Sequence, residues 1–158
     1  MSKVIYRGPK RPIERIRSRV SDASISNSQE TVVLHAVEDS QTLVRTMGRL
    51  IFDPIDTAMT TPIVGEVVLA IEPRGTQVVA AASTAQELDQ DVPTEEIARW
   101  MFSCSLDTTA GFIKSDVIEF DIKAMRKLKV LDEIVLYYIA NVTGDIKMNG
   151  VIYQWFKE

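Results

Sequence analysis

The chain contains one histidine and one cysteine, His35 and Cys104, and these are the residue types from which nucleophilic catalysis would be built. A cysteine nucleophile needs a base, a helix start or a cationic neighbour that lowers the pKa of its thiol. The residues around Cys104, RWMFSCSL, include neither a glycine-rich turn nor a helix start, and His35 alternates with Val33 and Val37 on one apolar strand face. We therefore expect both residues to be structural and the chain not to be an enzyme, with a His35–Cys104 dyad as the alternative.

Carboxylates are the second group of side chains with catalytic or metal-binding chemistry. Asp53 and Asp56 flank Pro54, and four more acidic residues crowd one polar segment, namely Asp89, Asp91, Glu95 and Glu96. Paired carboxylates can bind metal ions or act as general acids and bases. For these carboxylates, a solvated acidic loop is the favoured interpretation. Because the chain has a single cysteine, an intramolecular disulfide and a thiolate metal site within one chain are both excluded. We expect no metal and no cofactor, since the sequence also lacks a phosphate-binding loop and a dinucleotide fingerprint.

Positive charge is concentrated at the N-terminus, although the whole chain carries −4. Residues 1–19 hold seven Lys and Arg residues against Glu14, a net charge of +6, so the remaining residues carry −10. Basic segments contact nucleic acid or acidic protein surfaces, and a solvated segment is an equal alternative. A second basic cluster comprises Lys123, Arg126, Lys127 and Lys129. It lacks the interleaved aromatic residues on which bases stack, so partner contact and a solvated loop are again equal alternatives.

Hydrophobic alternation predicts the strands that must position these groups. They are expected at residues 30–37, 41–53, 63–72, 99–106, 117–122, 133–142 and 149–157, with a further short strand at 76–82. The last two are expected to pair as a hairpin, because Thr143, Gly144 and Asp145 between them tolerate a tight turn. Gly48 inside a strand predicts a bulge or a close backbone approach. Residues 83–98 form a polar insertion with at most one or two helical turns.

Seven or eight strands with almost no helix predict an all-β chain, a single antiparallel jelly-roll β-sandwich of about eight strands. An immunoglobulin-type sandwich is disfavoured because its cysteine pair is missing. Residues 1–29 have no sustained period and are expected to be an extended basic N-terminal arm and linker, with a short helix at 13–20 as an option; the jelly-roll domain is then 30–158. No signal peptide is visible, and no apolar run approaches the roughly 20 residues that cross a bilayer, so we expect no membrane association.

Two stretches resemble a known group of proteins: TLVRTMGRL at 42–50 and FDIKAMRKL at 120–128. Together they are similar to small virion structural proteins of phages and small DNA viruses, a group of jelly rolls, over roughly residues 41–156. The resemblance implies one of two roles. Such proteins are either coat subunits or trimeric cement proteins that decorate a capsid built from another protein.

Net charge decides between these roles at the level of sequence. A coat protein that packs a genome must neutralise many phosphates, which requires a surplus of Lys and Arg. The chain carries −4, so we predict a capsid cement or decoration protein that binds the outside of a phage capsid. The coat protein of a small single-stranded DNA virus is the alternative, and a carbohydrate- or receptor-binding module is a third.

The cement interpretation predicts a homotrimer on the capsid surface of a bacteriophage virion, made in the host cytoplasm. Its basic arm would grip adjacent subunits or the major capsid protein, and nucleic-acid binding, if any, would be through that arm. Deleting residues 1–20 is expected to leave the β-fold intact while abolishing capsid attachment. The residues expected to make the contacts are Val4, Ile5, Tyr6, Arg7, Lys10, Arg11, Ile13, Arg15, Ile16, Arg17 and Arg19.

Overall fold

The computed structural model describes residues 13–54, 62–74, 95–104, 106–107, 112–113, 115–141 and 146–157. Within these ranges the chain forms eleven β-strands and no helix. The strands are β1 (Glu14–Ile25), β2 (Glu30–Ala36), β3 (Gln41–Pro54), β4 (Ile63–Pro73), β5 (Glu95–Cys104), β6 (Leu106–Asp107), β7 (Phe112–Ile113), β8 (Asp116–Ile122), β9 (Arg126–Leu128), β10 (Asp132–Ala140) and β11 (Ile146–Lys157).

Two antiparallel sheets face each other. Sheet A has the order β1-β11-β3-β8, with β9 paired to the start of β3, and sheet B has the order β2-β10-β4-β5, while β6 and β7 form a separate ribbon. Among the eight strands of seven or more residues, the first pairs with the last, the second with the seventh, the third with the sixth and the fourth with the fifth. This nested pairing is a hairpin rolled into a sandwich, which is the jelly-roll fold. The predicted fold class is confirmed.

Residues alternate between the core and the outside because successive side chains of a strand point to opposite faces. In β11, Met148, Ile152 and Phe156 are buried, whereas Tyr153 and Trp155 between them are only half-buried. Apolar side chains from both sheets form the main core. Hydrophobic burial of this kind is the dominant favourable term in folding.

Aromatic rings join the two sheets on the side where β5 lies near β8. The rings of Phe52 and Phe102 stack at 4.0 Å, and those of Trp100 and Phe120 at 4.5 Å. Phe120 crosses over Gly48, where an added Cβ would lie 2.8 Å from the Phe120 ring. The close approach predicted for Gly48 is therefore present, and the pairing of β3 with β8 has no register shift there.

The structure corrects the prediction for residues 13–25. They were expected to be arm, linker or a short helix, but Glu14–Ile25 is the first jelly-roll strand and pairs along β11. These residues form a strand because their side chains alternate with a period of two: exposed Arg15 and Arg17 alternate with the partly buried Ile16 and Ser18. Charge obscured that alternation. Residues 1–12 of the predicted arm lie outside the described residues.

The predicted C-terminal hairpin is also wrong. β10 and β11 follow one another in the chain, but β10 pairs with β2 and β4 in sheet B, and β11 pairs with β1 and β3 in sheet A. Both strands occupy central positions, where each has a hydrogen-bonded neighbour on both edges, and pairing with each other would remove one of these neighbours. The turn residues 143–145 lie outside the described residues.

The polar insertion ends earlier than predicted. Residues 95–98, expected to belong to it, are the start of β5, and Leu106, expected in the same strand as Cys104, belongs to β6. The helical turns predicted within 83–94 and the short strand predicted at 76–82 fall outside the described residues.

Candidate functional site

The outer face of sheet A carries arginine and aromatic side chains in adjacent rows, and we call it the basic face. Cross-strand pairing places Arg15 opposite Trp155 and Arg17 opposite Tyr153. On the other side of β11, Trp155 is opposite Arg45. The complete basic face comprises Arg15, Arg17 and Arg19 of β1, Val151, Tyr153 and Trp155 of β11, and Arg45, Met47 and Arg49 of β3.

Guanidinium groups lie over the two aromatic rings of the basic face. The Cζ atom of Arg15 is 5.4 Å from the centroid of the Tyr153 ring, and that of Arg45 is 5.2 Å from the centroid of the Trp155 ring. The two ring centroids are 6.2 Å apart. These distances are in the range of cation–π contacts.

Acidic residues of β8 neutralise the β3 side of the basic face. Arg45 donates two hydrogen bonds to the carboxylate of Asp121, at 2.8 and 2.6 Å, and these hydrogen bonds lower the pKa of Asp121. Arg49 lies 3.4 Å from Glu119. The two β3 arginines therefore contribute little net positive charge.

The β1 side is different. Arg15, Arg17 and Arg19 are exposed, and within the described part of the chain none of them forms an ion pair. β1 is also an outer strand of sheet A, so this row stands at an edge. Net positive charge on the basic face is thus concentrated along one edge, next to Tyr153 and Trp155.

A groove of about 510 Å³ opens on the basic face. Its lining includes Met47, Val151 and Tyr153 together with the charged Arg49 and Glu119. The groove therefore offers an apolar surface beside Tyr153, with a cationic group from Arg49 and a hydrogen-bond acceptor from Glu119 in its lining.

The structure places the residues of the predicted arm in three different settings. Arg15, Arg17 and Arg19 are together on the basic face, Ile16 points towards the core, and Ile13 is 60% exposed. Whether they contact a partner stays a prediction. The others, Val4, Ile5, Tyr6, Arg7, Lys10 and Arg11, lie outside the described residues.

The second predicted cluster does not act as one group. Arg126 forms an ion pair with Glu95 at 2.8 Å. Thr42 of β3 lies between Lys127 of β9 and Lys157 of β11. Lys127 therefore extends the positive charge of sheet A beyond Trp155. Lys123 and Lys129 are exposed in the loops on either side of β9; contact with a partner stays a prediction for all four basic residues of the cluster.

Sequence reasoning did not connect Tyr153 and Trp155 with the arginines. The alternation in 149–157 marked both rings as one face of a strand, and the same alternation marks Arg15, Arg17 and Arg19. No sequence signal paired the two strands, because they lie more than 120 positions apart.

His35 and Cys104 are far apart and have different partners. The Cys104 thiol is buried and donates to the carbonyl oxygen of Phe52 at 3.6 Å, and burial raises its pKa to about 11. His35 Nε2 lies 3.4 Å from Gln41, and its ring contacts Phe156. Both residues can be located along β11: Cys104 lies beside Phe52, which pairs with Met148, and His35 lies beside Phe156. Met148 and Phe156 are eight residues apart, or about 27 Å along the strand. The two residues do not form a dyad.

Three carboxylates of sheet B are buried on its outer face and have specific partners. Arg99 binds Glu66, and Arg74 binds Glu133 at 3.1 Å. The hydroxyl of Tyr137 donates to Glu72. Burial is the main cause that raises the pKa of Glu72, and the negative charge of Glu133 raises it further.

Neither a group of metal-binding side chains nor a membrane-spanning helix is found in the part of the chain that the structure describes. In these ranges, no three His, Cys, Asp or Glu side chains are grouped so that they could hold a metal ion. No helix in the same ranges is long and apolar enough to cross a membrane.

Comparisons with known proteins give distant structural likenesses only. No family model and no curated protein matches the chain. A chain of Desmodium yellow mottle tymovirus is similar with a TM-score of 0.47 and 13% identity, over 99% of this chain and 93% of that one. A chain of infectious bursal disease virus, Gx strain, is similar with a TM-score of 0.44 and 13% identity, over 93% of this chain and 32% of that one. At these scores the likenesses carry no argument about function, and the jelly-roll assignment rests on the strand pairing of the chain itself.

Proposed function

We propose that this chain is a structural subunit of a virion. The observation that carries the proposal is the nested antiparallel strand pairing, which defines a jelly roll of the kind used by capsid and lectin domains. Fold alone does not fix function, so the site must agree with it. The interior is filled by side chains such as Phe52, Phe102 and Phe156, each 1% exposed or less. Charge and aromatic groups are displayed on a sheet face, which suits contact with a macromolecule.

The first candidate role is the cement protein. It is supported by the net charge of −4, which is unsuited to packing a genome in bulk. In this role a homotrimer binds the outside of a phage capsid, and the basic N-terminal segment contacts adjacent subunits or the major capsid protein. Electrostatic contacts of this kind provide orientation and association rate more than affinity.

The second candidate role is the coat protein of a small single-stranded DNA virus. The specific observation in its favour is the separation of charge: Arg15, Arg17 and Arg19 stand in one exposed row beside Tyr153 and Trp155. A local cationic surface can bind an anionic polymer even when the whole molecule is acidic, because screening limits charge interactions to about 8–10 Å at physiological salt.

Sedimentation of the purified full chain separates these roles. Analytical ultracentrifugation and electron microscopy with and without single-stranded DNA should show either discrete trimers, as expected for cement, or closed shells, as expected for coat. A second assay mixes the chain with empty shells made of the capsid protein whose gene lies nearest to the gene for this chain. A cement protein should decorate these shells, whereas a coat protein should not. A chain that remains monomeric, forms no shell and decorates none would refute the virion role, and glycan binding by that monomer would favour the third candidate, a carbohydrate-binding module.

A further inference from the structure

We propose that the basic face binds single-stranded nucleic acid, with the arginines of β1 contacting phosphates and the rings of β11 stacking against bases. Proteins that bind single strands without sequence preference combine a cationic track with aromatic side chains on which bases stack. The basic face has both parts on adjacent hydrogen-bonded strands. The inference rests on this geometry and not on the virion role, so either can fail without the other.

The cationic track is the row Arg15, Arg17 and Arg19. Residues two apart on a strand project from the same face at intervals of about 6.8 Å, so the three side chains leave the strand in one row. They have no acidic partner within the described ranges, whereas Arg45 and Arg49 on β3 are paired with Asp121 and Glu119. Among the described strands, β1 has a hydrogen-bonded neighbour on one side only, and an extended polyanion would lie along its other side.

The stacking surface is the pair Tyr153 and Trp155. Both residues are partly exposed, and the Cζ atom of an arginine lies over each ring. Bases stack on aromatic rings and on arginine planes alike. The groove beside Tyr153 gives an adjacent base a second apolar contact.

The geometry favours a single strand over a duplex. A duplex keeps its base faces stacked inside the helix, so Tyr153 and Trp155 would have nothing to stack on, and a broad sheet face does not enter a groove as a helix or a two-stranded ribbon does. An acidic protein surface would also bind the arginine row, but that binding would be as strong without the rings. The aromatic rings therefore provide the test.

The binding experiment uses the full chain and a fluorescently labelled oligothymidine, followed by anisotropy over a series of salt concentrations. Each phosphate contact on a single strand contributes about 0.7 to the slope of log affinity against log salt. The double variant Arg15→Gln/Arg17→Gln should therefore weaken binding and reduce the slope by about 1.4. The matched control is Lys123→Gln/Lys129→Gln, which removes the same charge from the loops around β9 and should leave the slope unchanged.

The aromatic part is tested by Trp155→Leu. Loss of one stacked base, worth about 1–3 kcal/mol, corresponds to roughly a 5- to 150-fold loss of affinity, with the salt slope unchanged. Trp155→Phe keeps a ring and should restore most of the affinity. Near-ultraviolet excitation should also show quenching of Trp155 by the oligothymidine, and that quenching should be absent in Trp155→Phe, in which Trp100 is the remaining tryptophan.

Three results would overturn the proposal. The first is no binding of oligothymidine at low salt by the wild-type chain, and the second is an equal change of slope in both double variants. The third is that the chain binds polyglutamate as strongly as oligothymidine and that Trp155→Leu changes neither affinity. That result would assign the basic face to an acidic protein partner. Circular dichroism is used to check that each variant is folded. If Arg15→Gln/Arg17→Gln is not folded, the single variant Arg17→Gln takes its place.

Discussion

At the scale of single residues, Cys104 is a thiol held inactive by burial. It is 1% exposed and its pKa is raised to about 11, so the reactive thiolate is on the order of 10⁻⁴ of the population at neutral pH. We predict that native Cys104 reacts with a mild thiol reagent far more slowly than an unfolded peptide, and that the rate rises with pH. Rapid, stoichiometric labelling of the native chain at neutral pH would contradict this.

The same shift has a consequence for stability. A group whose pKa is raised in the folded state contributes stability at pH values below its unfolded pKa and loses that contribution as pH rises through the folded pKa. For Cys104 the window runs from 9.0 to about 11. Cys104→Val should remove that part of the alkaline loss of stability, which urea unfolding at increasing pH would measure.

Glu72 is the buried carboxylate whose removal should stabilise the fold. It is 1% exposed, lies opposite Glu133 and has one oxygen, Oε1, without a hydrogen-bond partner among the described residues. Its raised pKa means that the fold favours the protonated form, so the charged form costs stability at neutral pH. Glu72→Gln keeps an acceptor for the Tyr137 hydroxyl and should raise the free energy of unfolding by on the order of 1 kcal/mol.

The pH dependence distinguishes this explanation from a general packing effect. The gain from Glu72→Gln should shrink as pH falls through the raised pKa of Glu72, because wild-type Glu72 is then neutral as well. Glu119→Gln is the control, since Glu119 is an exposed carboxylate on sheet A, and it should change stability little. An equal gain at all pH values would refute the electrostatic explanation.

At the scale of strands, aromatic rings packed over glycines fix the distance between neighbouring strands. Phe102 of β5 is opposite Gly65 of β4, and a Cβ at Gly65 would lie 2.1 Å from the Phe102 ring and 2.6 Å from the carbonyl oxygen of Ile139. We predict that Gly65→Ala costs about 1–3 kcal/mol or more, since both the ring and the backbone would have to move.

Gly48→Ala is the matched comparison for Gly65→Ala. An added Cβ there would lie 2.8 Å from Phe120 and 2.9 Å from the carbonyl oxygen of Val151, so its loss of stability should be smaller. Urea midpoints of both variants measure the difference. A larger loss for Gly48→Ala would show that these contacts do not determine the cost.

Strand alternation was predictable from the sequence, but strand partners were not. The pattern of β11 is visible in 149–157 because burial of one face imposes a period of two. β10 is visible in 133–142 for another reason, since a strand that is buried on both faces is a continuous apolar run. The choice between pairing them together and placing them in different sheets depends on contacts distant in sequence. β1 was missed for a different reason, because its period of two consists of exposed arginines alternating with the partly buried Ile16 and Ser18, so no apolar face stands out.

At the scale of the whole molecule, the position of β1 changes the deletion experiment. Removing residues 1–20 was expected to leave the fold intact, but it removes the residues of β1 that pair with β11 between Gly150 and Phe156. We predict that deletion of residues 1–12 preserves cooperative unfolding, whereas deletion of residues 1–20 destabilises the chain severely, because it exposes core residues such as Ile152.

The shorter deletion is therefore the proper test of the arm. If residues 1–12 are a strap, the protein lacking them should keep its melting temperature and lose capsid attachment. Full decoration of shells by that protein would refute the strap. Cooperative unfolding of the longer deletion at unchanged temperature would show that β1 is dispensable.

The sequence by itself determined the all-β class and the inward positions of most strands. Both follow from local properties, namely side-chain period and turn composition. The basic face was decided only by the tertiary structure. Arg15, Tyr153 and Arg45 come from three distant parts of the chain, and cross-strand register, which is set by packing of the two sheets, is the physical cause that brings them together.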